Sequence, residues 1–483
     1  MENTKSNDLV LDVHEVPAKK SQWALLSIQH ILAMFVACIT VPLLIGTSIP
    51  ATIISAGLGT LIYILFTQKK SPVVLSSSFA YLSSMGVAFA LDANPTDGNT
   101  GNYLALAIGM AIVGLIYVIV ALVVKKAGTG WLFKLLPTIV VGPVIIVIGL
   151  GLAGSAVNNL ANTAASPANY NLICILCGLT ALFATALTAH YGNKTLSLIP
   201  FVIGMLAGYG MSLIWTGIGY WANWDYAKVI DFSPIVNNFA PENFGVTSII
   251  GYDCFAFLNW NNGTFEWGQL ITIVLAFAPV SLVTICEHIG DHLNLGNVIH
   301  KDLLKDPGLS NTLMGDGVAT AISGLLCGCA NTTYGENVAV VGVTKVASVE
   351  VIITACFATI ALGFFTPLMV VVQTIPACVT GGVSLVLYGF IASSGVKMLI
   401  NERVDFSINR NIFIAATILV AGIGGLSISF TIAGQAVTVT STAVAMILGI
   451  ILNIVLKEKP AKCCCGKCEE AQAEEKPAEE TQE

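Results

Sequence analysis

Apolar runs of about 20 residues recur from residue 23 to residue 456, and each is long enough to cross a hydrocarbon core of roughly 30 Å as a helix. No other feature constrains the fold as strongly. A soluble chain of 483 residues would need polar surface for two or three cores, with about 25% of its residues charged. Only 10% are charged here and 55% are hydrophobic, and the mean hydropathy is +0.82. A single anchor cannot account for this, so the sequence predicts an all-α polytopic membrane protein. Much of the acid behind the net charge of −7 lies in the C-terminal tail and one polar loop, which gives no reason to expect a nucleic-acid partner. Cys38, Cys174, Cys177, Cys286 and Cys356 sit inside apolar runs, where a thiol behaves as a small hydrophobe; no disulfide framework is implied.

The runs divide into fourteen spans: 23–46, 48–66, 72–91, 102–124, 132–153, 170–189, 195–218, 267–292, 311–328, 331–346, 350–372, 374–396, 411–429 and 436–456. Basic residues collect near cytoplasmic span ends. With both termini placed inside, only Lys228 of the 21 Lys and Arg falls in a loop assigned outside. A missed or invented span would reverse every later assignment. The expected organisation is a cytoplasmic N-terminal tail (1–22, polar and without a signal-peptide pattern), seven spans (23–218), an external loop (219–266), seven more spans (267–456) and a disordered cytoplasmic tail (457–483). The external loop is rich in Trp and Tyr, which favour the water–lipid boundary. The tail carries Cys463, Cys464, Cys465 and Cys468, a cluster open to metal binding, acylation or no role at all.

Spans 5 and 12 resemble each other. Pro137, Val140 and Gly142 align with Pro376, Val379 and Gly381 without gaps. Val144, Val147, Ala153, Ser155 and Val157 align with Val383, Val386, Ala392, Ser394 and Val396. A repeat of seven spans must re-enter from the opposite side, which predicts a 7+7 inverted repeat. In such transporters discontinuous helices hold substrate near the midplane. Spans 3 ("SPVVLSSSFAYLSSMG") and 10 ("ANTTYGENVAVVGVTK") are third in their halves, and neither has the uninterrupted apolar stretch of a full helix. Irregular backbone at that depth requires burial in protein or a cavity to line.

Two ionisable clusters interrupt the apolar spans: Glu336 in "YGEN", and Glu287, His288, Asp291 and His292 in "CEHIGDHLN". A charge at the centre of a spanning helix costs about 2.5–3.5 kcal/mol even on the lenient insertion scale, which makes these functional candidates. Glu287 and Asp291 are four apart and share a helix face, while His288 and His292 share another about 100° away. A zinc reading of "EHIGDH" fails on spacing, because it is not HExxH and no third ligand is evident. Glu287 is otherwise a buried acid satisfied by packing, His292 an interfacial residue, and His30 in "SIQHILAMF" either a functional or a core polar contact. An acid in a closed cavity can take a proton from one side and release it to the other, and carboxylates can accept hydrogen bonds from the N–H groups of a flat amide-like heterocycle. No nucleophile–base arrangement or cofactor motif points to an enzyme, and no cofactor or metal is expected.

The stretches "SIQHILAMF", "SSSFAY", "CEHIGDH", "KDLLKDPGLS" and "NTTYGEN" resemble the nucleobase–cation symporters (nucleobase–ascorbate transporter superfamily), which include bacterial uracil permeases, and the resemblance runs over about 23–456. It implies fourteen spans in core and gate domains, short β-strands within spans 3 and 10, and proton-coupled uptake of a nucleobase, here expected to be uracil, across the cytoplasmic (inner) membrane, often by homodimers. It further implies that Glu287 and Glu336 bind the base, with Gly335 and Phe79 offering backbone N–H groups and Ala37 lining the pocket. His30, Glu287, Asp291 and His292 become proton-coupling candidates. This sequence has Asp291 where some uracil permeases have His, Ala339 for a Gly and Lys345 for an Arg. Purine members often carry Gln at the position of Glu336, so the Glu favours uracil over xanthine or urate. A purine or xanthine permease is the alternative, and an anion exchanger of the same architecture a more distant one.

Overall fold

The computed structural model describes residues 9–91, 101–161, 170–251, 267–432 and 435–456. The cysteine cluster at 463–468 and part of the external loop lie outside the described residues. The protein is mostly helical. In chain order the first half has α1 (Lys20–Ile45), α2 (Ile49–Phe66), β1 (Leu75–Ser77), α3 (Leu82–Ala90), α4 (Tyr103–Ala127), α5 (Gly130–Leu135), α6 (Thr138–Gly151), α7 (Ala153–Ala161), α8 (Leu172–Tyr191) and α9 (Pro200–Trp221). A short α10 (Ser233–Phe239) follows in the polar loop. The second half has α11 (Gln269–Ile299), α12 (Leu309–Leu325), β2 (Asn331–Thr333), α13 (Gly335–Thr344), α14 (Val349–Gly363), α15 (Thr366–Gln373), α16 (Ala377–Asn401), α17 (Asn409–Ile423), β3 (Ile428–Ile432), β4 (Gln435–Val439) and α18 (Ser441–Val455). Among the described residues, eight helices are long and apolar enough to cross a membrane.

Two packing groups emerge. In one, α1 to α4 pack with α11 to α14; in the other, α6 to α9 pack with α16, and α6 also carries α17 and α18. Small residues set the closest approaches, as expected where helices cannot rely on water to drive them together. A Cβ on Gly317 of α12 would run into Tyr117 and the Gly114 carbonyl of α4, and one on Gly382 of α16 would overlap the Gly178 carbonyl of α8. The aligned helices α6 and α16 pack against each other, and both start immediately after their matched prolines, Pro137 and Pro376. They then differ: α6 stops at Gly151 and the chain restarts as α7, while α16 runs unbroken to Asn401.

The strands β1 and β2 meet between the halves of the first group and pair antiparallel, Leu75 with Thr333 and Ser77 with Asn331. Their backbone polar groups thus satisfy each other in a place where water cannot. Other elements depart from the span limits read in the sequence. Helix α11 continues to Ile299, seven residues past the expected 292, because Leu295, Gly296 and Ile299 are buried and carry its packing on. Span 350–372 is two helices, α14 and α15, parted near Phe364. The end of span 13 and the start of span 14 form an antiparallel hairpin, β3 with β4. The β-branched run Val437–Thr438–Val439–Thr440 fits a pleated surface better than a helix.

At one end of the molecule the N-terminal segment ties the loops together. Val10 N–H donates to the Lys345 carbonyl at 2.7 Å, Ala347 N–H to Leu11 at 2.9 Å and Val349 N–H to Val13 at 2.9 Å. Ion pairs at the same end join Asp12 to Lys301, Lys69 to Glu350 and Lys70 to Asp306.

Candidate functional site

The broken segments build a small cavity. β1 is followed by the irregular stretch Ser78–Tyr81 before α3 begins, whereas β2 leads through one residue, Tyr334, into α13. The cavity is about 60 Å³, and its walls include Ser78 and Phe79 after β1, Glu287 of α11, and Thr332, Gly335 and Glu336 around the start of α13. That volume accepts several waters. Ile145, Ile148, Leu387 and Ile391 close it from α6 and α16, so the site lies between the two packing groups.

Its polar groups are of three kinds. Glu287 has no hydrogen-bond partner among the described residues, and its carboxylate is available as an acceptor. Gly335 and Glu336 occupy the first turn of α13, where backbone N–H groups have no intrahelical partner and the helix dipole favours a carboxylate. The buried hydroxyls of Ser77, Ser78, Thr332 and Tyr334 also lack protein partners. The site therefore offers carboxylate acceptors, amide donors and adaptable hydroxyls, with the Phe79 ring as an apolar wall. A ligand with N–H and C=O groups around a planar ring matches this set.

The structure brings Phe79, Glu287, Gly335 and Glu336 to one cavity. Asp291 stands beside them: it accepts a hydrogen bond from Thr333 Oγ1 at 2.6 Å, and a Cβ on Gly335 would lie 3.6 Å from its Oδ1. Ala37 is fully buried in α1 and is not a wall of this cavity. His30, buried in the same helix, receives the Asn337 side-chain amide at Nδ1 (3.0 Å) and at its carbonyl (3.1 Å). It links α1 to the residue after Glu336.

His288 and His292 face away from the cavity, as their offset from the acids requires. His292 is fully buried rather than interfacial. Its Nδ1 donates to the His288 carbonyl at 2.7 Å, and its Nε2 meets Tyr63 Oη at 2.5 Å. His288 Nδ1 meets Asp316 Oδ2 at 2.8 Å, with both side chains 0% exposed. Asp316, Tyr63, Tyr117 and Asn337 are polar residues of the interior that sequence reasoning passed over. The available signal for Asp316 was a lone acid between glycines in an otherwise uncharged helix.

Among the described residues no group of three or more His, Cys, Asp or Glu side chains could hold a metal ion. A second, open depression lies at the strapped end, about 380 Å³ and lined by residues that include His14, Lys70, Lys301 and Lys305. Its lysines are already paired with aspartates.

By fold, the chain is a polytopic helical membrane protein of a type seen in transporters. It superposes on the transmembrane domain of a cyanobacterium bicarbonate transporter, BicA, with a TM-score of 0.59 at 13% identity, covering 91% of this chain and 99% of that one. The SLC26A9 structure gives 0.61 at 11% identity, covering 90% and 65%. These likenesses concern the fold alone. The sequence goes further: residues 21–431 match the Permease family profile Xan_ur_permease. The chain is 40% identical over 454 residues to the uracil permease of Bacillus caldolyticus, covering 94% of this chain and 96% of the relative. It is 38% identical to that of Bacillus subtilis (strain 168), covering 93% and 95%, and 34% identical to that of Escherichia coli (strain K12), covering 89% and 90%. The protein belongs to this permease family, that of the nucleobase–ascorbate transporters. It is a multi-pass membrane permease and not an enzyme.

Proposed function

We propose that the protein imports uracil together with a proton across the cytoplasmic membrane by alternating access. One observation carries the reading: Glu287 and Glu336 share one small cavity with the first-turn amides of α13, in a chain 34–40% identical to uracil permeases. Uracil is a flat ring with N–H donors and carbonyl acceptors. The carboxylates suit its N–H edge, and the N–H groups of Phe79 and Gly335 suit its carbonyls. Two acids beside one ligand also supply a place for the accompanying proton, with His30, Asp291 and His292 as further candidates.

The reading includes fourteen membrane segments in a 7+7 inverted repeat, with both termini cytoplasmic. The group containing α1 to α4 and α11 to α14 is the core, which carries the site, and the group containing α6 to α9 and α16 to α18 is the gate. Movement of one against the other exposes the cavity to each side in turn. The packing of the site between these groups supports this, as does the collection of lysines at the strapped end. A homodimer is part of the proposal on family grounds.

The test is purified protein in proteoliposomes, with labelled uracil and a panel of bases. Uracil-dependent acidification of the lumen, with uptake competed by uracil and not by xanthine, is the expected result. Equal competition by xanthine would replace uracil with a purine as substrate. Uptake without proton movement would remove the coupling.

A further inference from the structure

Beside the cavity, on the face of α11 about 100° from that of the two acids, a line of bonded groups leads from the helix interior toward the strapped end. His292 Nδ1 is bonded to a carbonyl, so it carries a hydrogen, and Nε2 is the nitrogen free to gain or lose a proton. Nε2 faces Tyr63 Oη at 2.5 Å, and Tyr63 Oη faces Ser71 Oγ at 2.8 Å. Ser71 follows Lys69 and Lys70, and Lys70 lines the open depression of about 380 Å³. At the inner end, the His288 ring stacks on that of His292 with centroids 4.1 Å apart. His288 is paired with Asp316, and its buried Nε2 has no protein partner. The other polar groups packed around the pair are Tyr117 of α4 and Tyr81 before α3, whose hydroxyls both meet Thr284 Oγ1 at 2.8 Å. Glu287 and Asp291 lie on the next face of α11.

We infer that His292, Tyr63 and Ser71 form the route by which the transported proton leaves for the strapped end, with the His288–Asp316 pair as its buried donor. The inference rests on the proton-coupled reading above. With His288 as an imidazolium against the Asp316 carboxylate, rotation of the His288 ring lets its Nε2 pass a proton to His292 Nε2, and His288 is left neutral with its Nδ1–H on Asp316. That proton then moves to Tyr63 Oη, the hydroxyl proton of Tyr63 moves to Ser71 Oγ, and Ser71, fully buried in this state, releases its own to water once the strapped end opens beside Lys70. Each hydroxyl finishes with one proton, and His292 finishes neutral with its Nδ1–H still on the His288 carbonyl. From His292 through Tyr63 to Ser71 the chain needs no charged side chain at rest, which suits a buried setting.

The same contacts would also arise if Tyr63 only clipped α2 to α11, so the test separates exchange from net transport. Full-length protein in proteoliposomes is assayed for labelled uracil counterflow, in which the loaded carrier shuttles without proton release, and for accumulation driven by an imposed pH gradient. For Tyr63→Phe, counterflow should stay within about twofold of the unaltered protein while gradient-driven accumulation falls at least tenfold. His292→Gln should show the same split. Parallel loss of both activities would assign Tyr63 a structural role, and retention of both would show that the proton travels elsewhere; either overturns the route. Absence of uracil-dependent proton movement in the unaltered protein would instead overturn the coupling on which the route rests.

Discussion

Helix α11 presents two faces that differ by a single sequence step. Glu287 and Asp291 point toward the cavity and the strand β2, while His288 and His292 point into the packed interior between α2, α4 and α12. The acids are under-committed: Asp291 has one hydroxyl partner, and Glu287 has no hydrogen-bond partner among the described residues. The histidines are committed to Asp316, to Tyr63 and to the backbone. An acceptor left without a protein partner beside a cavity is placed to take a ligand's hydrogen bond. The acids thus stand open to a ligand, while the histidines are already bonded within the protein, where they brace α11 and supply the proposed proton route.

The two faces should fail differently when altered. The largest effect is expected at Asp316. Its removal leaves the buried partner His288 uncompensated, at a cost of about 3–5 kcal/mol. Asp316→Ala should lower the melting temperature in detergent, and a variant as stable as the parent would show that the histidine face does not anchor α11. Next is Glu287→Ala, which removes a charged acceptor worth about 1.5–3 kcal/mol to a bound ligand. Uracil binding should weaken by about 10- to 100-fold and uptake fall to background, with stability unchanged; proton-driven transport at the parental rate would exclude Glu287 from the site. Glu336→Gln keeps shape and one acceptor while losing the charge, so uracil affinity should fall by about tenfold in a binding titration. Wild-type affinity would remove Glu336 from the site.

The smallest effect is expected at the strapped end. Partial burial alone would raise the pKa of Asp12, but the Lys301 ammonium, the Val13 N–H and His14 outweigh it and hold Asp12 below the ordinary carboxylate range. A depressed carboxylate contributes stability that is present above its unfolded pKa and lost as pH falls through the lowered folded value. At neutral pH the exposed pair is worth about 0–1 kcal/mol. Asp12→Asn should therefore change the melting temperature by no more than a degree or two at pH 7. A larger shift would mean that the strap does more than tether the tail.

Much of this was legible because local spacing carries it. The i, i+4 offsets of Glu287–Asp291 and His288–His292 define the two faces from sequence alone, and "SSSFAY" and "NTTYGEN" mark the segments where the helices break. Asp316 and Tyr63 were not legible because their partners are distant in the chain. Asp316 meets His288, 28 residues away, and Tyr63 meets His292, 229 residues away. A tyrosine near the end of an apolar helix otherwise reads as an interfacial anchor. The hairpin of β3 and β4 was hidden by its own hydrophobicity: a run such as "ISFTI" extends an apolar helix as readily as it forms a strand, and the choice is made by packing.

The central claim is that Glu287 and Glu336 together hold uracil in the cavity between β1, β2 and α11. An experimental structure of the protein with uracil bound tests it most directly. The account predicts uracil density between the two carboxylates, with ring nitrogens at hydrogen-bond distance, about 2.7–3.2 Å, from each. Density in the lysine-lined depression at the strapped end, or contact with neither acid, would contradict it.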